Sequence, residues 1–205
     1  MTGTKEKILL AALDLAAKEG LGAVSMSMIA DKVGIRKPSL YNHFTSKEEL
    51  TEAMYAYLRD AAKKKESPTP SEYEKLFQMS SAYDILKTAT NAYRKMTLDP
   101  NMRTFYKVLY SERTHNPTAA RILTEETEKM IFATKQLFYA LEVHHLLHFE
   151  SPDMSALGFA MTIHALMDYE EDCATGGEVG EKNKALFDDY LHWFCETNAA
   201  KEAEE

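Results

Sequence analysis

The stretch Ile35–Phe44, IRKPSLYNHF, concentrates side chains that can recognise a polyanion. Arg36 and Lys37 supply positive charge, and Ser39, Tyr41, Asn42 and His43 supply hydrogen-bonding groups. Leu40 and Phe44 are spaced to share one helical face, which leaves the polar residues on the other. Such a face can read DNA. Lysine donates to guanine O6 and N7, asparagine pairs with adenine, and serine or histidine meets a base or a phosphate. Tyr41 and Lys47 are placed to hold the backbone, and the helix that starts near Lys47 offers free N–H groups to a phosphate. The same pattern also suits a solvated face of an ordinary helical bundle.

Elsewhere the reactive residue types are sparse. His144 and His148 stand i, i+4, a workable spacing for two metal ligands, with Glu150 and Asp153 close by. Imidazoles at that point also suit the negative end of a long helix, so no metal is expected. Cys173 and Cys195 are too few for a disulfide framework. They read as buried structural thiols, with redox sensing as the alternative. No sequence cluster pairs a nucleophile with a base, so the chain is not expected to be an enzyme, and no cofactor is expected.

The elements that would position IRKPSLYNHF have helical period almost everywhere. In Lys5–Glu19 the apolar residues Ile8, Leu9, Ala12, Leu13 and Ala16 form one face, and Gly20 and Gly22 end the run. Ser25 caps a short helix, MSMIADKV, which Gly34 stops. Pro38 suits the first turn of a third helix. TSKEEL starts a fourth, with Thr45 or Ser46 as cap and Glu48 and Glu49 in the first turn, running to about Lys65. Three short helices and a long one, with a glycine-bounded turn between the second and third, form a helix-turn-helix arrangement. Ile29, Ala30 and Val33 give the second helix its inner face, and Ile35, Leu40 and Phe44 plug the third into the same core.

ESPTPS, residues 66–71, is the clearest break in the chain. Helical runs follow at 72–80, 82–98, 100–113, 117–148, 153–174 and 182–200, with joints at Asp99-Pro100, Asn116-Pro117, Ser151-Pro152 and TGGEVG. Strand-like alternation is absent, so the fold class is all-α. Net charge is -8, unevenly spread: residues 1–65 hold 11 Lys/Arg and 8 Asp/Glu, whereas residues 66–205 hold 13 and 24. A slightly basic head on an acidic body admits only the head to a polyanion. Lys5, Glu6 and Lys7 break any signal-peptide core, and no run approaches the roughly 20 apolar residues of a membrane span. A cytoplasmic protein with no membrane partner is expected.

Gly22–Leu50, GAVSMSMIADKVGIRKPSLYNHFTSKEEL, resembles the N-terminal signature of the TetR family of bacterial transcriptional regulators. The matching elements are Ile29-Ala30, Val33-Gly34-Ile35, Ser39-Leu40-Tyr41, His43-Phe44, Lys47 and Leu50. The resemblance implies a homodimer whose third helices enter adjacent major grooves of a palindromic operator. It implies that Ser25 and Ser27 cap and flank the second helix against phosphates, and that Lys37, Pro38 and Ser39 face bases. Tyr41, His43 and Lys47 would then contact phosphates. Two positions depart from the pattern. Arg36 sits where a capping Ser or Thr is common and adds a cation that can reach DNA, as Asn42 can beside it. Ser27 stands where a longer polar residue is common. The resemblance divides the chain into a DNA-binding domain over 1–46 and a regulatory domain over 47–205.

In the regulatory part, Met154–Met167 is apolar nearly all round, with Leu157, Met161 and Ala165 on one side. The last helix carries a wide stripe of Leu186, Phe187, Tyr190, Leu191 and Phe194. The pair reads as a dimer seam over about 153–200 through Leu157, Met161, Phe187, Leu191 and Phe194, or else as a monomeric core. The segment 72–148 is rich in aromatic side chains and Met, which can line an adaptable cavity or fill a core. Tyr93, Tyr106, Tyr110, Phe132 and Phe138 are the candidates for contact with a small apolar effector. The leading function is a repressor released by such a ligand. The alternatives are a DNA-binding regulator controlled by a protein partner or metal, and a helical enzyme or carrier.

Overall fold

The computed structural model describes residues 3–66, 75–78, 81–177 and 181–200. The break expected at 66–71 and the helical run expected over 72–80 fall largely outside them, although residues 75–78 are helical. The named helices are α1 (Gly3–Glu19), α2 (Met26–Val33), α3 (Lys37–Tyr41), α4 (Lys47–Glu66), α5 (Ala82–Thr97), α6 (Pro100–Glu112), α7 (Pro117–Val143), α8 (Pro152–Thr175) and α9 (Glu181–Thr197). Among the described residues the only strand-like feature is an isolated antiparallel bridge between Leu147 and Ala199. No helix among them is long and apolar enough to cross a membrane. The fold is all-α, as the periodicity predicts.

The X-Pro joints act as helix starts. Asp99 accepts from the N–H groups of Asn101 and Met102 ahead of α6, and Asn116 does the same for Thr118 and Ala119 at α7. Proline follows each cap, where its missing N–H costs nothing.

The chain forms two compact units. The first is Met1–Glu66 with Lys95–Glu126, and the second is Ser67–Arg94 with Thr127–Glu205. The packing boundary therefore does not fall at residue 46: α4 and α6 pack in the first unit together with the three head helices. The core of that unit joins Ile8, Leu9 and Leu13 of α1 to Ile29, Leu40, Phe44, Leu50 and Met54, and to Met102, Phe105 and Leu109 of α6. Glu126 is buried in this unit, held by the Tyr55 hydroxyl and the Arg59 guanidinium, both from α4. Burial, and then the Glu126 carboxylate, push the Tyr55 phenol well above its usual range.

The second unit is built around aromatics. Phe138 lies 4.6 Å from Phe149 in a parallel stack, 5.3 Å from Phe159 edge-on and 5.4 Å from Phe194. Phe187, Leu191 and Phe194 are buried in this core with Ile85, Leu86 and Ile163. These three residues of α9 thus pack within their own chain, as the core alternative for the stripe has it. Leu157 is half-buried and Met161 exposed, so only these two of the five expected seam residues keep accessible surface. Arg94 pairs with Glu170 at 2.6 Å and lies 4.1 Å over the Phe187 ring, which closes one side of the same core.

Helix α7 ends at Val143, five residues before the expected stop at 148. The N–H of Leu146 reaches Leu141 O at 2.9 Å and that of His145 reaches Glu142 O at 2.9 Å, the paired bonds of a Schellman stop. His145 takes the left-handed conformation there, at φ 55. No glycine marks the stop in the sequence, which is why the periodicity runs past it. Exposed His145→Gly should relieve the strain and raise stability by about 0.5–1 kcal/mol, readable as a higher urea midpoint at unchanged m-value.

Candidate nucleic-acid interface

The turn between α2 and α3 is specified by backbone geometry. Gly34 adopts φ 75 and ψ 32, with its N–H on Asp31 O at 3.1 Å, and the N–H of Ile35 reaches Ala30 O at 3.0 Å. This is a second Schellman stop, and the left-handed position is the one where a Cβ is penalised. A Cβ on Gly34 would meet nothing within 4 Å, so Gly34→Ala should cost only the backbone term, about 1–2 kcal/mol. Thermal unfolding of the purified variant checks this; an unchanged melting temperature would mean that the turn relaxes.

At the start of α2, the Ser25 hydroxyl accepts from Met28 N–H at 3.2 Å, the expected cap, and its own O–H remains available. Ser27 is half-exposed on the first turn. Helix α3 is a five-residue turn, Lys37–Tyr41, with Pro38 near its start and no side-chain bond from Arg36, which caps it poorly as its type implies. Leu40 is fully buried beneath it and Phe44 follows into the same core, with Lys5 Nζ 5.5 Å above the Phe44 ring. Asn42 and His43 lie in the turn after the helix.

The burial of Leu40 and Phe44 turns the polar set outward. Arg36, Lys37, Pro38, Ser39, Tyr41 and Asn42 are exposed, and His43 is half-exposed. Among the described residues no carboxylate pairs with Arg36 or Lys37, and no protein group bonds the side chains of Ser39, Tyr41, Asn42 or His43. Nearby Lys32 differs: it pairs with Asp14 at 2.6 Å, and this bond, with that from Lys18, lowers the Asp14 carboxyl below its usual range. The head thus neutralises a cation at its side and leaves those of α3 free, the arrangement that a polyanion requires.

Lys47 is placed otherwise than expected. Its ammonium donates to the carbonyls of Leu21 at 2.8 Å, Val24 at 3.0 Å and Gly22 at 3.2 Å. All three N–H donors of a lysine are then used within the protein, so it is not poised for a phosphate. The start of α4 is held instead by Ser46, which accepts from Glu49 N–H, and by Glu49, whose carboxylate takes the Thr45 hydroxyl and N–H. Those bonds from Thr45 hold the Glu49 carboxyl below its usual range. Sequence reasoning also missed Glu112, which accepts from Gly22 N–H at 3.2 Å across 90 positions of chain.

The candidate effector contacts do not gather in one unit. Tyr106 and Tyr110 belong to the first, with Arg113 stacked 5.0 Å from the Tyr110 ring. Tyr93, Phe132 and Phe138 belong to the second. Phe138 is buried in the aromatic core, and Phe132 is 65% exposed. His144 and His148 do not share a helical face, because α7 has already ended. His144 stacks 4.9 Å from Phe77, and His148 faces Glu142 at 3.8 Å. Among the described residues no three or more His, Cys, Asp or Glu come together in a way that could hold a metal ion. Burial pushes the Cys195 thiol up to about 11, which leaves it protonated at neutral pH and a poor redox sensor.

Residues 8–54 match the family model for bacterial regulatory proteins of the tetR family. The chain as a whole is similar in fold to the solved structure of the flavonoid-responsive regulator FrrA, with 20% identity and a TM-score of 0.76 over 98% of this chain and 100% of that one. It is also similar to GusR of Salmonella enterica, with 20% identity and a TM-score of 0.70 over 94% and 95%. A bacterial regulatory protein in the tetR family from Rhodococcus RHA1 shares 16% identity at a TM-score of 0.64, over 98% and 100%.

Proposed function

We propose, from the premise that this chain is a TetR-family transcriptional regulator, that it acts as a homodimeric repressor released from a palindromic operator by a small apolar ligand. The observation that carries the reading is the outward set on α3: exposed Arg36 and Lys37 with Ser39, Tyr41, Asn42 and His43, seated on a buried Leu40 and fixed by the Gly34 turn. Lys37, Pro38 and Ser39 face bases. Tyr41, His43, Ser25 and Ser27 take phosphates, and Arg36 and Asn42 extend the contact. A dimer presents two such heads to major grooves about 34–36 Å apart on one DNA face. The first residues of α4 belong to the head, and its Tyr55 and Arg59 grip Glu126 of α7, a helix that contributes to both compact units. A ligand that displaces α7 or α4 changes the head spacing, and a few ångströms of change prevent simultaneous docking.

Release requires differential affinity: a ligand that binds the spread and DNA-ready states equally shifts nothing. By linkage, operator DNA weakens ligand binding by the same factor. The acidic body favours a neutral or cationic ligand over an anion. The flavonoid-responsive regulator of similar fold makes planar aromatic compounds a sensible first panel. The test has two steps. Genomic fragments retained by the purified protein are sequenced, and a shared palindrome is the expected result. A ligand found by thermal-shift screening is then titrated with and without that operator. Equal affinity in both titrations would rule out the repressor–inducer mechanism for that ligand, and failure to retain any preferred fragment would defeat the regulator reading itself.

A further inference from the structure

Gly22 is held at both ends of its residue by charged side chains from distant parts of the sequence. Its N–H donates to Glu112 Oε1 at 3.2 Å, and its carbonyl accepts from Lys47 Nζ at 3.2 Å. Lys47 also takes the carbonyls of Leu21 and Val24, the two residues of this loop whose side chains are buried. A loop between two helices has backbone groups with no partner of their own, and here a cation meets the acceptors while an anion meets a donor. Lys47 opens α4, and Glu112 closes α6, which packs on both α1 and α4.

The loop leads directly into Ser25, the cap of α2, and α2 is joined to α3 by the Schellman turn at Gly34. Such a turn transmits orientation, because its paired hydrogen bonds leave little freedom at the joint. Whatever fixes Leu21–Val24 therefore fixes the direction in which α3 presents Arg36 and Lys37. We infer that Lys47 and Glu112 are positioning residues for DNA recognition, clamping Gly22 so that α2 and α3 keep the orientation that reads DNA. The inference rests on the regulator reading above. It gives Lys47 a different role from a phosphate contact, and it gives a role to Glu112, an acid in the DNA-binding unit whose charge would otherwise only repel the ligand.

Two readouts separate the clamp from a general structural effect. The first is hydrogen exchange at the Gly22 amide of the full-length protein, which needs no DNA. Lys47→Met and Glu112→Ala should speed exchange at Gly22 by about tenfold, while Glu112→Gln, which still offers an acceptor, should stay near wild type. The second is binding to the duplex selected by fragment capture, measured over a range of salt. Lys47→Met should lose about tenfold in affinity with an unchanged salt slope, because no phosphate contact is removed; a phosphate contact would lower the slope by about 0.9. Glu112→Ala should also bind about tenfold more weakly, although removal of an anion alone favours a polyanion, and Glu112→Gln should restore binding. A reduced slope for Lys47→Met with wild-type exchange at Gly22, or a Glu112→Ala variant that binds as well as wild type, overturns the clamp. If the wild-type chain retains no duplex, the regulator reading fails instead, and exchange at Gly22 alone decides whether Lys47 and Glu112 hold the loop.

Discussion

Met161→Asp is expected to yield a folded monomer whose operator affinity is lower by about two to four orders of magnitude, the factor that two linked heads gain over one. Met161 is 47% exposed on α8, in a stripe with Met154 at 63%, Gly158, Ala165 and Tyr169 at 50%. These positions recur at helical spacing, and Gly158 and Ala165 are small enough to let another helix approach closely. An aspartate at Met161 is tolerated by the single chain because the site is already open to water. In a dimer seam it buries an unpaired carboxylate, at a cost of several kcal/mol. Leu191→Asp is the contrasting control. Leu191 is 2% exposed within the aromatic core, so that variant should lose its fold rather than its partner. Sedimentation with circular dichroism distinguishes the two. Trp193, the single tryptophan, is 57% exposed on α9 and gives a fluorescence signal for association on dilution. A Met161→Asp chain that sediments as a dimer and binds operator normally would move the seam elsewhere.

Lys37→Ala should cost about 1–3 kcal/mol of operator binding and relax the preference at one base position, the effect expected of a base contact on the proposed α3 surface. Among the described residues no carboxylate pairs with exposed Lys37, so the change breaks no internal pair there and the loss reports on DNA. Tyr41→Phe removes a phenolic donor at the rim of the same surface. It should weaken selected and random duplexes alike, since a phosphate contact carries no sequence information. Titration of both variants against the selected operator, single-base variants of it and random DNA separates these outcomes. Equal losses on all sequences for both variants would show that α3 does not enter the groove as assigned.

Most of the head is legible in the sequence because its determinants are local. Ser25 caps α2 three residues ahead of the N–H that it accepts, Gly34 supplies the left-handed turn, and Leu40 and Phe44 seat α3 through an i, i+4 pair. Each signal depends on neighbours within one helical turn, where spacing in the chain and spacing in space are nearly the same. The X-Pro joints are legible for the same reason. The stop at His145 was not, because a histidine in the left-handed conformation carries no sequence mark and is selected by the packing that follows it, where Leu147 and Phe149 turn into the core.

The amphipathic stripes of α8 and α9 state that something must cover them, but a stripe contains no information on whether the cover is the same chain. Tertiary packing decided that for Phe187, Leu191 and Phe194, which the chain buries against Phe138 and Phe159, and left Met161 and Trp193 in the open. It likewise decided the fate of Lys47 and Glu112. A lysine at a helix start reads as a free cation and a glutamate at a helix end as a solvated one; only folding brings both to Gly22, across 25 and 90 positions of sequence. Apart from the stop at His145, the helices, the Gly34 turn and the outward chemistry of α3 are legible in the sequence, as products of short-range hydrogen bonding and periodicity. The partners of charges and the owners of buried faces were decided by the tertiary structure, because they depend on which distant segments share a core and on no pattern within any one of them.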